Sequence, residues 1–196
     1  MNASQARDLM HQWTASPALR VHMECVATCM GAYAAKLEPD DSRRDRWTVC
    51  GLLHDMDYEK HPTKDEHPFV GVKMLREKHP PPDVDAEIID AILGHAEYSG
   101  TPRVTPMAKA LFAVDELAGF IVACCKVRPN GIADLEPSSV KKKLKDKAFA
   151  AAVSREDINK GIAELGQILP GIEATEHMRV CIEAIRGSRV TVNRGI

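Results

Sequence analysis

Six side chains of metal-ligand type recur between positions 22 and 115 of this chain, and two of them are adjacent: His22, His54, Asp55, His67, His95 and Asp115. His54 and Asp55 close the apolar run Gly51-Leu52-Leu53, where burying either one without a partner costs on the order of several kcal/mol. An imidazole and a carboxylate offered together suit a borderline or hard divalent cation. The adjacent pair can serve two ions at once, His54 on one and Asp55 bridging to the next through its second oxygen. That arrangement implies ions about 3.5–4 Å apart, the spacing of two-metal phosphoesterases. A water bridging such ions loses much of its proton affinity, and the resulting hydroxide would attack a phosphoester phosphorus while the metals neutralise the equatorial oxygens. Asp55 is then the catalytic candidate, holding the metals and orienting the nucleophile. Six mixed nitrogen and oxygen donors point to iron or manganese, with zinc, cobalt or magnesium as alternatives and calcium disfavoured.

The elements that must position these donors are helical. Ser16-Pro17 offers an N-cap and a first-turn proline, after which Leu19, Val26, Met30 and Leu37 follow at helical spacing with His22 inside the apolar stripe. A second helix from about Ser42 places Trp47, Cys50 and His54 on one face and delivers His54-Asp55 at its end. Met56 to Pro62 is polar and proline-terminated, a loop whose Asp57, Tyr58, Lys60 and His61 lie beside the site. Asp65-Glu66-His67-Pro68 opens a third helix, and Asp83 caps a fourth that ends in His95. Thr105-Pro106 starts the longest apolar helix, with Asp115 among Ala108, Leu111, Ala118 and Val122. Singly, each donor is as readily a hydrogen-bonded core residue. Jointly, six donors on or at the ends of five helices would be gathered at one point by a bundle that buries its apolar stripes.

The remaining chain frames that site. Ser138-Ser139 can cap a lysine-rich helix, Ser154-Arg155-Glu156-Asp157 resembles a capping box, and a last helix runs through Met178 and Ile182 to Gly187. The expected fold class is all-α, with a metal-binding helical domain over 1–133 and a C-terminal helical extension over 134–196 packed on it. Arg103, Arg128 and Lys142 are the candidate phosphate clamps, because guanidinium binds phosphate oxygens bidentately and the lysine run after Ser139 could supply further cations. At 196 residues, 44% apolar and a formal charge of -2, the chain can bury a core without disulfides, and it lacks the basic balance for a nucleic-acid polymer or an anionic membrane. Its six cysteines form no C-x-x-C pair and read as reduced core thiols. With a polar Met1–Trp13 segment and no long apolar run, a cytoplasmic protein acting on a small phosphorylated molecule is expected. An aromatic content of 5% offers no obvious base-stacking platform.

The order His22, His54-Asp55, His67, His95, Asp115, spread over Pro17 to Val127, resembles the HD-domain metal-dependent phosphohydrolase superfamily. That resemblance implies an HD-like helical bundle in which His22, His54, Asp55 and Asp115 hold one metal. In members of the binuclear type two further histidines hold a second, and His67 and His95 match them. The chain departs from the His-Asp-Ile-Gly-Lys subgroup, having Asp57 and Tyr58 where that motif has glycine and lysine, so no catalytic lysine carries over. A lone His95 also argues against the cyclic-dinucleotide phosphodiesterases, which carry a paired His-His. Two rival classes share the donor set: an HD-fold di-iron oxygenase, and a non-catalytic, metal-stabilised nucleotide-binding module.

Overall fold

The computed structural model describes residues 1–192. Those residues form nine α-helices and two single-turn 3-10 segments, with no strand among them: α1 Ala3–Trp13, α2 Pro17–Leu37, α3 Asp45–Leu53, α4 Phe69–Lys78, α5 Ala86–His95, α6 Pro106–Lys126, α7 Pro137–Leu144, α8 Arg155–Gly166 and α9 Ala174–Gly187. The two 21-residue helices, α2 and α6, pack on each other at the centre. Helix α3 lies on α2, α5 and α8 lie on α6, and α9 lies on both α2 and α6. Helices α8 and α9 therefore cover the same central pair that carries His22 and Asp115. No helix among the described residues is long and apolar enough to cross a membrane.

Helices α2, α6 and α8 start at the sequence signals. The side-chain oxygens of Ser16, Thr105 and Ser154 accept from the backbone N–H groups of Leu19, Ala108 and Asp157, each satisfying a donor that the first helical turn would otherwise leave unpaired. Three starts differ from expectation. Helix α4 begins at Phe69, leaving His67 in the turns before it. Helix α5 is capped by Asp85 rather than Asp83. Helix α7 begins at Pro137 with no side-chain cap, one residue before the two serines. Helix α1 lies in a segment read only as polar, where Asn2 and Gln5 form a reciprocal capping box and Ala6, Leu9 and Met10 are buried.

Close backbone approach sets the positions of the central helices. A Cβ on Gly51 would lie 2.5 Å from the Cα of Ala27, and one on Gly161 would lie 2.6 Å from the Cα of Ala113. Only glycine lets α3 meet α2, and α8 meet α6, at that depth. The six cysteines are free and buried.

A buried polar link ties α2, α6 and α9 together. The carbonyl oxygen of Ala113 can only accept, so His177 must donate its Nε2–H to it at 2.8 Å, and His177 Nδ1 then accepts the Tyr33 hydroxyl at 2.6 Å. Burial pushes the His177 pKa down from 6.5 to about 4. An unfolded chain takes up this proton below about pH 6.5, whereas the folded one resists until about 4, so stability present above pH 6.5 is lost as the pH falls toward 4. Between pH 7 and 4.5 the parent should lose on the order of 2–3 kcal/mol more than His177→Gln in urea unfolding; equal losses would show that this histidine is not the acid-sensitive group.

Candidate metal centre

Five elements deliver the six side chains. His22 lies on the second turn of α2, His54 caps the C-terminus of α3 and Asp55 follows in the next turn. His67 comes from the turn before α4, His95 is the last residue of α5, and Asp115 sits midway along α6. The loop after Asp55 is pinned from outside. Thr14 donates its hydroxyl to the carbonyl of Met56 at 3.1 Å, and Glu59 accepts from the backbone N–H groups of Ala15 and Ser16.

All six converge, in two groups of three that meet at Asp55: His22, His54 and Asp115 on one side, and Asp55 with His67 and His95 on the other. Oδ2 of Asp55 is 3.5 Å from Nε2 of both His22 and His54, while Oδ1 is 3.4 Å from His67 Nε2 and 3.3 Å from His95 Nε2. Asp115 Oδ1 lies 3.0 Å from His22 Nε2 and 3.4 Å from His54 Nε2. The paired imidazoles approach through their Nε2 atoms at 3.3 Å in the first group and 3.2 Å in the second. Metal–ligand bonds of about 2.1 Å give edges of about 3.0 Å in an octahedron and about 3.4 Å in a tetrahedron, so these separations fit donors around a cation.

The far nitrogens set which lone pairs point inward. Nδ1 of His54 faces the carbonyl oxygen of Gly51 at 2.8 Å, and Nδ1 of His95 faces that of Ile92. A carbonyl can only accept, so in each ring Nδ1 carries the hydrogen and Nε2 presents its lone pair to the centre. His67 Nδ1 is held by Asp57 Oδ1 at 2.7 Å, and the other oxygen of Asp57 accepts from the backbone N–H of Gly71 at 2.7 Å. Asp57 is 1% exposed. It is therefore not a solvated loop residue beside substrate but the group that orients His67. Gly71 leaves room for it, since a Cβ there would lie 3.0 Å from the Asp57 carboxyl. Asp57→Ala should weaken metal binding at the His67 and His95 group about 10–100-fold with little change at the His22, His54 and Asp115 group, measured by metal titration; equal weakening at both groups would contradict this role.

Electrostatics of the metal-free cluster show what a cation would replace. Burial works against charge on His54, yet the carboxylates of Asp55 and Asp115 outweigh it and raise its pKa to about 9. Burial likewise opposes ionisation of Asp55 and Asp115, and the neighbouring imidazoles overcome it and hold both carboxyls well below the usual range. Without a metal, His54 thus keeps a second proton on Nε2 against these carboxylates, a position that a divalent ion can take over.

None of the three expected phosphate clamps is among the converging residues. Arg103 donates to both oxygens of Glu164 at 2.7 and 2.6 Å, to Glu97 at 2.9 Å and to the carbonyl of Gly94 at 2.9 Å, and its guanidinium stacks 3.6 Å from the Phe112 ring centroid. Two carboxylates neutralise it, and it fastens the end of α5 to α8. Arg128 donates to the side chain and carbonyl of Asp134 and, with Lys142, lines a cavity of about 380 Å³ beside the C-terminal end of α6. That end, Lys126, is eleven residues beyond Asp115, about 16 Å along the helix. Neither Arg128 nor Lys142 belongs to the centre.

A family model described as HD domain matches residues 20–119, a span that contains all six converging residues. No curated protein and no solved structure matches the chain.

Proposed function

The chain belongs to the HD-domain family, whose members bind divalent metals, and on that premise we propose that it is a metal-dependent phosphohydrolase cleaving a small phosphoester. One observation carries the reading: Asp55 turns each of its two oxygens toward a different set of imidazoles at 3.3–3.5 Å, as a carboxylate shared by two cations must. His22, His54 and Asp115 would hold one ion and His67 and His95 the other. Two divalent ions, iron or manganese by donor type, would supply there an acidified water and positive charge against the phosphoryl oxygens.

The protein's own residues do the rest. Asp57 fixes the rotation of His67, and the backbone carbonyls of Gly51 and Ile92 fix those of His54 and His95, so the donors are organised before any ligand arrives. The side chains of His22, Asp55 and Asp115 keep 15–19% exposure, while that of His54 has none. The solvent-reachable part of the centre therefore includes His22, Asp55 and Asp115. Six buried thiols suit a reducing compartment, and we place the protein in the cytoplasm.

Chelator-stripped protein reloaded with iron, manganese, cobalt or zinc, assayed under nitrogen on a panel of phosphomonoesters and phosphodiesters, should release phosphate or alcohol only when metal is present. Turnover that requires oxygen and ferrous iron would replace this reading with the oxygenase. Full metal loading with no turnover of any ester would leave a metal-stabilised binding module.

A further inference from the structure

The aromatic side chains are few, but they are not evenly placed. Of nine in the chain, the three that are exposed are Tyr58, Phe69 and Tyr98. Each lies within three residues of a residue of the centre: Tyr58 follows Asp55 by three, Phe69 follows His67 by two and Tyr98 follows His95 by three. Trp47, Tyr33, Phe112 and Phe120 are buried in the core.

Their immediate contacts tie the two tyrosines to the second half of the centre. The Tyr58 ring meets the His67 ring edge to face, centroids 5.1 Å apart, and its backbone N–H donates to the carbonyl of Asp55 at 3.0 Å. Tyr98 rides on the single turn Glu97–Ser99 that follows α5, and that turn is closed by Ser99 donating its hydroxyl to the carbonyl of Leu93 at 2.6 Å. Burial, and after it the charges of Asp55, Asp57 and Tyr58, raise the Tyr98 pKa above its ordinary value. The ammonium of Lys64 lies 5.5 Å from the Tyr98 ring centroid, placing a cation at the same edge. Tyr58 and Tyr98 keep 45% and 44% of their surface in water. Half-exposed rings held by short turns beside a polar centre give rigid, amphipathic contact area at small entropic cost.

We propose that Tyr58 and Tyr98 form an aromatic rim on the His67 and His95 side of the centre that receives a planar aromatic or heteroaromatic group of the substrate. The preferred ester then carries its phosphate next to a flat ring, and Lys64 stands where an anionic substituent of that ring would lie. An aromatic content of 5% suffices when each exposed ring lies within three residues of a donor of the centre. This inference rests on the hydrolase reading only for the word substrate, because the rim would bind such a molecule whether or not it is cleaved.

Two charge-matched probes with no ester bond test it. Manganese-loaded protein, its metal content measured for every variant, is titrated calorimetrically with phenylphosphonate and with methylphosphonate. Ring stacking should make phenylphosphonate at least about ten-fold tighter. Tyr58→Ala and Tyr98→Ala should each reduce that preference below about three-fold while methylphosphonate binding stays within about two-fold, and Tyr98→Phe should keep the preference. Equal affinity for the two probes in the parent, or an undiminished preference in the Tyr58→Ala/Tyr98→Ala double variant, overturns the rim. Absence of hydrolysis with the preference intact removes the hydrolase reading alone.

Discussion

Replacing Asp55 with alanine should disable both halves of the centre in one step. Its two oxygens face the two donor groups, Oδ2 one and Oδ1 the other, so the substitution leaves one set with two imidazoles and Asp115, and the other with two imidazoles alone. Metal content should fall from two ions per chain to less than one, and esterase activity by at least about 10³-fold. That loss corresponds to about 4 kcal/mol of transition-state stabilisation at 1.36 kcal/mol per ten-fold, within what bound divalent ions supply to a phosphoryl group. Asp115→Ala is the contrast, because it strips only the His22 and His54 side and should leave the His67, His95 and Asp55 set able to bind. Elemental analysis and phosphate release on the same preparations separate the two. Full metal content in Asp55→Ala would mean that the carboxylate bridges nothing.

The second large effect is on the scaffold. Gly51→Ala introduces a Cβ that would sit 2.5 Å from the Cα of Ala27, 2.8 Å from its nitrogen and 3.1 Å from the carbonyl carbon of Val26. These are backbone atoms of α2 and cannot rotate away, and carbon contacts relax only near about 3.5–4.0 Å. Helix α3 must therefore back off from α2 by about 1 Å. Overpacking of this kind costs about 1–3 kcal/mol or more, and with no flexible neighbour the upper end is expected: a fall of about 3 kcal/mol, or roughly 6–12 °C in Tm for a chain of this size. Function should suffer beyond the loss of fold, because α3 carries His54 and α2 carries His22, now 3.3 Å apart at Nε2. Affinity at the His22, His54 and Asp115 group should drop more than at the other group. Gly166→Ala, where an added Cβ meets nothing within 4 Å, is the control and should be neutral or slightly stabilising. Thermal unfolding and metal titration of both variants decide the point; equal Tm values would show that the helices yield without cost.

What could be read from the sequence was local chemistry repeated at helical spacing. Ser16-Pro17, Thr105-Pro106 and Ser154 announce helix starts because capping is a contact between residues three apart, visible without any fold. His22 and Asp115 stood out because each interrupts an apolar stripe, and a bundle that buries such stripes brings the interruptions together. Position in space was not legible. Arg103 looked like a free clamp because its partners, Glu97 and Glu164, lie six and sixty-one residues away. Arg128 and Lys142 share a helix bundle with Asp115, but they sit at the C-terminal end of α6, about three turns beyond it. Asp57 read as part of a polar loop because its burial depends on Gly71 and His67, reached only after the chain turns back. Helix α1 was not legible because only Ala6, Leu9 and Met10 of its largely polar run are buried, and its packing partner is α3. The signal for it was Asn2 three residues before Gln5, a capping box that could have been seen.

The shared-carboxylate arrangement is tested most directly by anomalous diffraction from crystals of the iron- or manganese-loaded protein. The expected map has two peaks, one among His22, His54 and Asp115 and one between His67 and His95, with one oxygen of Asp55 on each. A single peak, or full occupancy of ions that leave Asp55 untouched, would contradict it.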